Sequence, residues 1–253
     1  MPKMKTLVFP TRKQMGEQAA ADAAACLTEL AAGRDEINVL FAAAPSQNEF
    51  LRALRETGGV PWRKVNAFQL DEYIGISADA PQRFGNFLMD AIFGHVPLKN
   101  CFLIDCENSD YQAEADKYAR LLAEYPVDVA FIGIGENGHI AFNDPGVADF
   151  NDPFTVKAAT LDERCRTQQV NDKCFERLEL VPKTALTLTI PAIMAARRIF
   201  CVVPGPMKAQ AVFETFTAEA GPMHPSTVLR DCGRVNLYLD ADSAALIKDL
   251  KID

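Results

Sequence analysis

Between Val127 and Gly146 the sequence VDVAFIGIGENGHIAFNDPG changes character within a few residues. Val129, Ala130, Phe131 and Ile132 form an apolar run of the length a buried strand uses. Gly133, Gly135 and Gly138 then alternate with polar residues, and Pro145 and Gly146 stop any helix that starts there. A strand running straight into a glycine-rich polar loop is how open α/β sheets build ligand sites, beyond the carboxyl ends of their strands. The remaining apolar runs should therefore be neighbouring strands joined by helices.

The chain fits that requirement. Strands are expected at Thr6 to Phe9, Ile37 to Phe41, Val65 to Leu70, Cys101 to Ile104, Ala185 to Ile190, Arg198 to Val203 and Val235 to Leu239. Helices are expected from Thr11, as cap, to about Ala32, and over Ser46 to Glu56, Arg83 to Phe93 and Tyr111 to Tyr125. Further helices are expected over Arg164 to Phe175 behind an Asp162 cap, from Pro191, over Lys208 to Phe216 and over Ser243 to Leu250. The fold class that follows is α/β: a doubly wound, mostly parallel open sheet with helices on both faces and a small lid. No repeat or linker divides the 253 residues, so 1–253 is read as one domain with the lid within 145–180.

The net charge of −8 argues against nucleic acid or an acidic membrane as partner, while leaving an anionic small molecule open to a few local cations. The seven cysteines include no CxxC pair, the pattern of reduced thiols in a cytoplasmic protein rather than of a disulfide frame or zinc site. No stretch is long and apolar enough to span a bilayer. The expected metal content is none.

Residues 133–138 match GxGxxG, but the following Asn143-Asp144-Pro145 breaks the helix that a dinucleotide fingerprint requires. The glycines, Gly135 among them, instead allow backbone N–H groups to approach a bound group, with Gly138 expected at positive φ. His139 can shuttle a proton near neutral pH, and the nearby Asp144 can fix its tautomer. No Ser or Cys adjoins His139 as a nucleophile. Asp71 and Glu72 follow a strand and should point to opposite sides, one into a cleft and one to solvent or a structural partner. A carboxylate shielded in a cleft can serve as a general base. Lys208, after the Gly205-Pro206 turn, suits an anion site. Arg164 and Arg166 read alone are surface residues.

Together, LDEYIGIS at 70–77, GIGENGHIAFNDPG at 133–146, VPKTALTLTIPAI at 181–193 and the Gly205 to Lys208 turn resemble the glucosamine-6-phosphate deaminase family, part of a wider group that includes the 6-phosphogluconolactonases. GHIAFN followed by an acid and Pro, and Asp-Glu-Tyr rather than Asp-Glu-Arg, favour the deaminase side. The resemblance implies a sugar phosphate as small-molecule partner and no redox cofactor or metal. It implies that Asp71 moves a proton between C2 and C1 of an opened amino sugar, that His139 with Asp144 and Asn137 opens the ring, and that Lys208 and Arg166 hold the phosphate. Where the family's phosphate loop carries adjacent glycines, this chain has Ala42-Ala43-Ala44-Pro45, so Ser46, Gln47 and the following helix are expected to compensate. Asn137 stands where many members have Asp, and Asp144 is one methylene shorter than the usual Glu, so a bridging water to His139 is expected. A lactonase of the same superfamily and a non-catalytic sugar-phosphate binder remain the alternatives, and a homo-oligomer stays open.

Overall fold

The computed structural model describes residues 3–106 and 110–250, so the outer ends of the expected 1–253 domain lie outside the described residues. Seven strands form one sheet: β1 (Lys5–Phe9), β2 (Ile37–Phe41), β3 (Val65–Gln69), β5 (Asn100–Phe102), β6 (Val129–Ile132), β9 (Arg198–Val203) and β10 (Val235–Asp240). Their order is β1-β10-β9-β6-β2-β3-β5, and every pairing is parallel. A second, antiparallel sheet of three strands joins β4 (Asp71–Tyr73), β8 (Thr184–Leu188) and β7 (Val156–Thr160) in the order β4-β8-β7.

The helices are α1 (Arg12–Ala31), α2 (Asn48–Glu56), α3 (Phe84–Ala91), α4 (Tyr111–Glu124), α5 (Glu163–Asn171), α6 (Ile190–Met194) and α7 (Ala209–Thr217). Two apolar clusters show why the strands read as unbroken apolar runs. Val39, Phe41, Val129, Phe131, Phe200 and Val202 join α1, α2 and α3 in one cluster. Their alternates Leu40, Ala130, Ile132, Ile199, Cys201 and Val203 join α4, α6 and α7 in the other. Successive side chains of a strand face opposite ways, so each strand feeds both layers. The helix caps follow the sequence: Thr11 Oγ1 accepts from Gln14 N at 3.2 Å, and Asp162 Oδ1 accepts from Cys165 N at 2.6 Å.

β2 and β6 lie side by side, with Val39–Phe41 opposite Val129–Phe131. From β2 the chain goes on to β3 on one side, and from β6 to β9 on the other. The sheet therefore has its switch point here, and the segments 42–47 and 133–139 separate above it to leave a crevice.

The structure departs from expectation in three places. Residues 243–250 form successive turns, not a helix. Ser243 Oγ and N bond to Asp240 instead, and i→i+3 bonds such as Ile247 N to Ala244 O follow. The helix expected over Arg164 to Phe175 ends at Asn171, because Lys173 takes φ 60°, outside the helical range. Inside 145–180, Val156–Thr160 is a strand of the second sheet. Among the described residues no helix is long and apolar enough to cross a membrane, and all seven cysteines are free thiols.

Candidate active site

The crevice encloses about 560 Å³ of space, part of it open to solvent. Asp71, His139, Lys208, Ser46, Gln47 and Gly135 all line it, brought together from four separate segments of the chain. Asp71 and His139 thus face one cavity, as the sequence motifs require.

His139 is 8 % exposed and held by its Nδ1 edge. Nδ1 lies 2.7 Å from Asn137 Oδ1 and 3.1 Å from Asp144 Oδ1. Asn137 Nδ2 donates to Asp144 Oδ1 at 3.1 Å and to Asp162 Oδ2 at 3.0 Å, which fixes its amide oxygen toward the imidazole. Both neighbours of Nδ1 are acceptors, so Nδ1 carries a proton, and Nε2 is the ring nitrogen without a hydrogen bond among the described residues. The expected bridging water is not needed: the shorter Asp144 reaches the ring directly. A tight turn makes this reach. Ala141 takes φ 50°, and Asn143 Nδ2 donates to Ile140 O at 2.9 Å and Leu188 O at 2.8 Å, swinging Asp144 back beneath His139. A non-glycine residue in that region costs roughly 1–3 kcal/mol, here offset by the Asn143 bonds.

Burial pushes the Asp144 carboxyl up, but bonds from His139, Asn137 and the Asp162 N–H outweigh it and hold the group below the usual carboxylate range. Gly135 has a steric reason to lack a side chain: a Cβ there would lie 2.1 Å from His139 Cε1. Gly138 takes φ 85°, as expected. Cys165 also lies against this group, and the potential ligand atoms of His139, Asp144 and Cys165 are within 4.8 Å of one another. Asp144 already accepts from His139, Asn137 and Asp162, so the cluster reads as a hydrogen-bonded relay rather than a vacant metal cage.

Asp71 and Glu72 divide their duties as the strand geometry predicts. The chain leaves the large sheet at Leu70, and β4 turns into the small sheet. Glu72, wholly buried, accepts from Tyr73 N, Phe84 N and Gly85 N and from Gln69 Nε2, pinning the start of α3 to β4. Gln69 Nε2 also donates to Asp71 O at 2.7 Å, which fixes the backbone of Asp71. The Asp71 carboxyl, 7 % exposed, faces the cleft. Burial, with the neighbouring Glu72 charge, holds it well above the usual carboxylate range.

Lys208 is 5 % exposed and makes no ion pair or side-chain hydrogen bond among the described residues. Burial lowers its pKa, with Asp172 and Glu136 acting against that shift. Ser46 and Gln47 sit on a single 3-10 turn, Pro45–Gln47, ahead of α2. The resemblance implies a phosphate contact for Arg166, whose side chain turns elsewhere here. Its guanidinium donates to Leu178 O at 2.6 Å and Val181 O at 3.0 Å, and it is not among the residues lining the cleft. The α5 side chains that do line it are Gln168 and Gln169, which the sequence reading passed over.

A model of the family described as glucosamine-6-phosphate isomerases/6-phosphogluconolactonase matches residues 10–237. The chain belongs to this family. Among relatives, a glucosamine-6-phosphate deaminase of Listeria innocua is 36% identical over 212 residues, covering 84% of this chain and 88% of the relative. One from Lactobacillus delbrueckii subsp. bulgaricus is 32% identical over 251 residues, covering 97% and 100%. A solved monomeric glucosamine-6-phosphate deaminase superposes with a TM-score of 0.86 at 26% identity, covering 96% of this chain and all of its own. A 6-phosphogluconolactonase from Trypanosoma brucei, at 19% identity and TM-score 0.80, shares the fold. Within the family frame, the relay at His139 and the carboxyl of Asp71 occupy the cleft that the sheet's switch point creates.

Proposed function

We propose that the protein is an amino-sugar-phosphate deaminase, converting glucosamine 6-phosphate or a close epimer, with water, into the ketose 6-phosphate and ammonia. The observation that carries this reading is the single cleft shared by Asp71, His139 and an unpaired, buried Lys208. Ring opening needs one group that both takes and gives a proton. His139 Nε2 takes the proton of the anomeric hydroxyl and returns it to the ring oxygen, while Asp144 and Asn137 hold the imidazole. Asp71 then removes the C2 proton of the open chain and delivers it to C1, while a proton of the C2 ammonium passes to the C1 oxygen; the raised pKa of Asp71 makes it a stronger base than an ordinary carboxylate. Water adds to the resulting C2 imine and ammonia leaves. Each acid–base group of this kind supplies about 10²–10⁴-fold.

Lys208 holds the phosphate, supported by Ser46 and Gln47. The part of 145–180 that closes over the substrate is α5, through Gln168 and Gln169. The chain is read as one domain, since both apolar clusters run from the large sheet into the small one. Its free thiols suit the cytoplasm. Incubation with glucosamine 6-phosphate should release ammonia and ketose 6-phosphate in equal amounts. Hydrolysis of 6-phosphogluconolactone without ammonia would assign it to the lactonase side, and tight binding without turnover would make it a binding protein.

A further inference from the structure

The anion end of the cleft is unusual in its charge. Lys208 is the one lysine or arginine among the described residues lining the cleft; Ser46, Gln47, Gln168 and Gln169 supply neutral groups. No carboxylate pairs with that ammonium among the described residues, and Asp172 and Glu136 are the acidic groups that act on it. The other charged groups nearby add no cation. Arg12, whose Nη2 donates to Pro45 O at 3.3 Å, is paired with Glu49 at 2.9 Å, and Arg166 turns its Nε and Nη2 to backbone carbonyls and is not among the lining residues. Asp71, His139 and the Cys165 thiol are the remaining titratable groups facing this space.

Two amide side chains here have bonding capacity to spare. Gln47 is 1 % exposed, and its Nε2 donates to Val202 O at 3.1 Å, which fixes the amide so that Oε1 is the free end. Gln47 Oε1 is a buried acceptor with no donor among the described residues. Gln169 is 7 % exposed, lines the cleft and makes no side-chain hydrogen bond among the described residues. Gln168, by contrast, is bonded at both ends: its Oε1 accepts from Glu136 N at 2.8 Å and its Nε2 donates to Asp172 Oδ2 at 3.2 Å. Buried polar groups without partners cost stability unless a ligand completes them.

A dianionic phosphate ester brings two charges to one lysine and no proton for Gln47 Oε1. A monoprotonated phosphate ester brings one charge, one O–H donor and oxygens for Lys208 and the Gln169 amide. We propose that this end of the cleft selects the monoprotonated, singly charged form of the substrate's phosphate, and that Gln169 is a specificity-determining residue contacting it. The proposal refines the deaminase reading and rests on the same cleft, but its test needs no turnover.

The test is isothermal titration of the wild-type protein with two unreactive ligands, D-glucitol 6-phosphate and D-glucitol 6-sulfate, at pH 6 and pH 8. The sulfate ester stays singly charged throughout, so its change reports the protein's own titration. With a second phosphate pKa of about 6, the monoprotonated fraction falls from about a half to about one in a hundred, so the phosphate Kd should rise roughly 50-fold relative to the sulfate Kd. A ratio that stays constant or falls with pH, or binding of neither ester, overturns the proposal. Gln169→Glu should weaken both esters at least about 10-fold through like-charge repulsion; unchanged affinity removes Gln169 from the subsite. Absence of ammonia release would remove the deaminase reading while leaving this ligand comparison intact.

Discussion

The carboxyl of Asp71 lies in the cleft wall, buried and held well above the usual carboxylate range by desolvation and by Glu72. Because its folded pKa is raised, its contribution to stability is fully present below the unfolded pKa and is lost as pH rises through the folded one. At neutral pH the group therefore weakens the fold. Asp71→Asn should raise stability by roughly 0.5–2 kcal/mol above pH 7, seen as a higher Tm in thermal melts. The base must be ionised to act, so the acid limb of kcat/KM should fall at a pH above the ordinary carboxylate range. Asp144 has the opposite sign. Its folded pKa is lowered, so its stability is present above the unfolded value and is lost as pH falls through the folded one. Asp144→Asn removes the acceptor that fixes Nδ1–H and should reduce turnover by about 10²–10⁴-fold, with KM little changed. At this scale the sequence exposed Asp71, His139, Asn137 and Asp144 because each stands in a dense motif. It hid Gln169, whose significance lies in having no partner, a property visible only in three dimensions.

Among the elements, α1 and α2 approach closely through Gly16. A Cβ there would lie 2.8 Å from Glu49 Cβ and 2.9 Å from Phe50 N, so the main chain of α2 would have to move. Gly16→Ala gains about 1 kcal/mol of helix propensity. Overpacking costs about 1–3 kcal/mol, and contact with a fixed backbone sits toward the upper end, so a net loss should appear in urea titration with turnover unchanged. The strands β2, β6 and β9 were legible as apolar runs because both of their faces are buried. The turn into β4 was not, since Gln69 and Glu72 do their bonding across the chain, to Ile104 and to the start of α3. The terminal residues 243–250 had a helical spacing but are claimed by local bonds from Asp240 and Ser243.

In the whole molecule, the site exists because the strand order reverses between β2 and β6. That crevice brings Ser46 and Gln47 from one side, the 133–139 loop from the other, Lys208 from beyond β9 and Gln169 from α5 around Asp71. The doubly wound architecture followed from alternating apolar runs, but the three-stranded sheet did not, because β7 lies in a polar stretch and β4 pairs with a strand far along the chain. The central claim is that one cavity lets Asp71 perform the proton transfer on a sugar opened by His139. The most direct measurement pairs ammonia release with substrate binding in Asp71→Asn. The account predicts equimolar ammonia and ketose 6-phosphate from the wild type. In Asp71→Asn it predicts substrate affinity within a few-fold of wild type and turnover lower by at least about 10²-fold. Wild-type turnover in that variant, or no ammonia from the wild type, would contradict it.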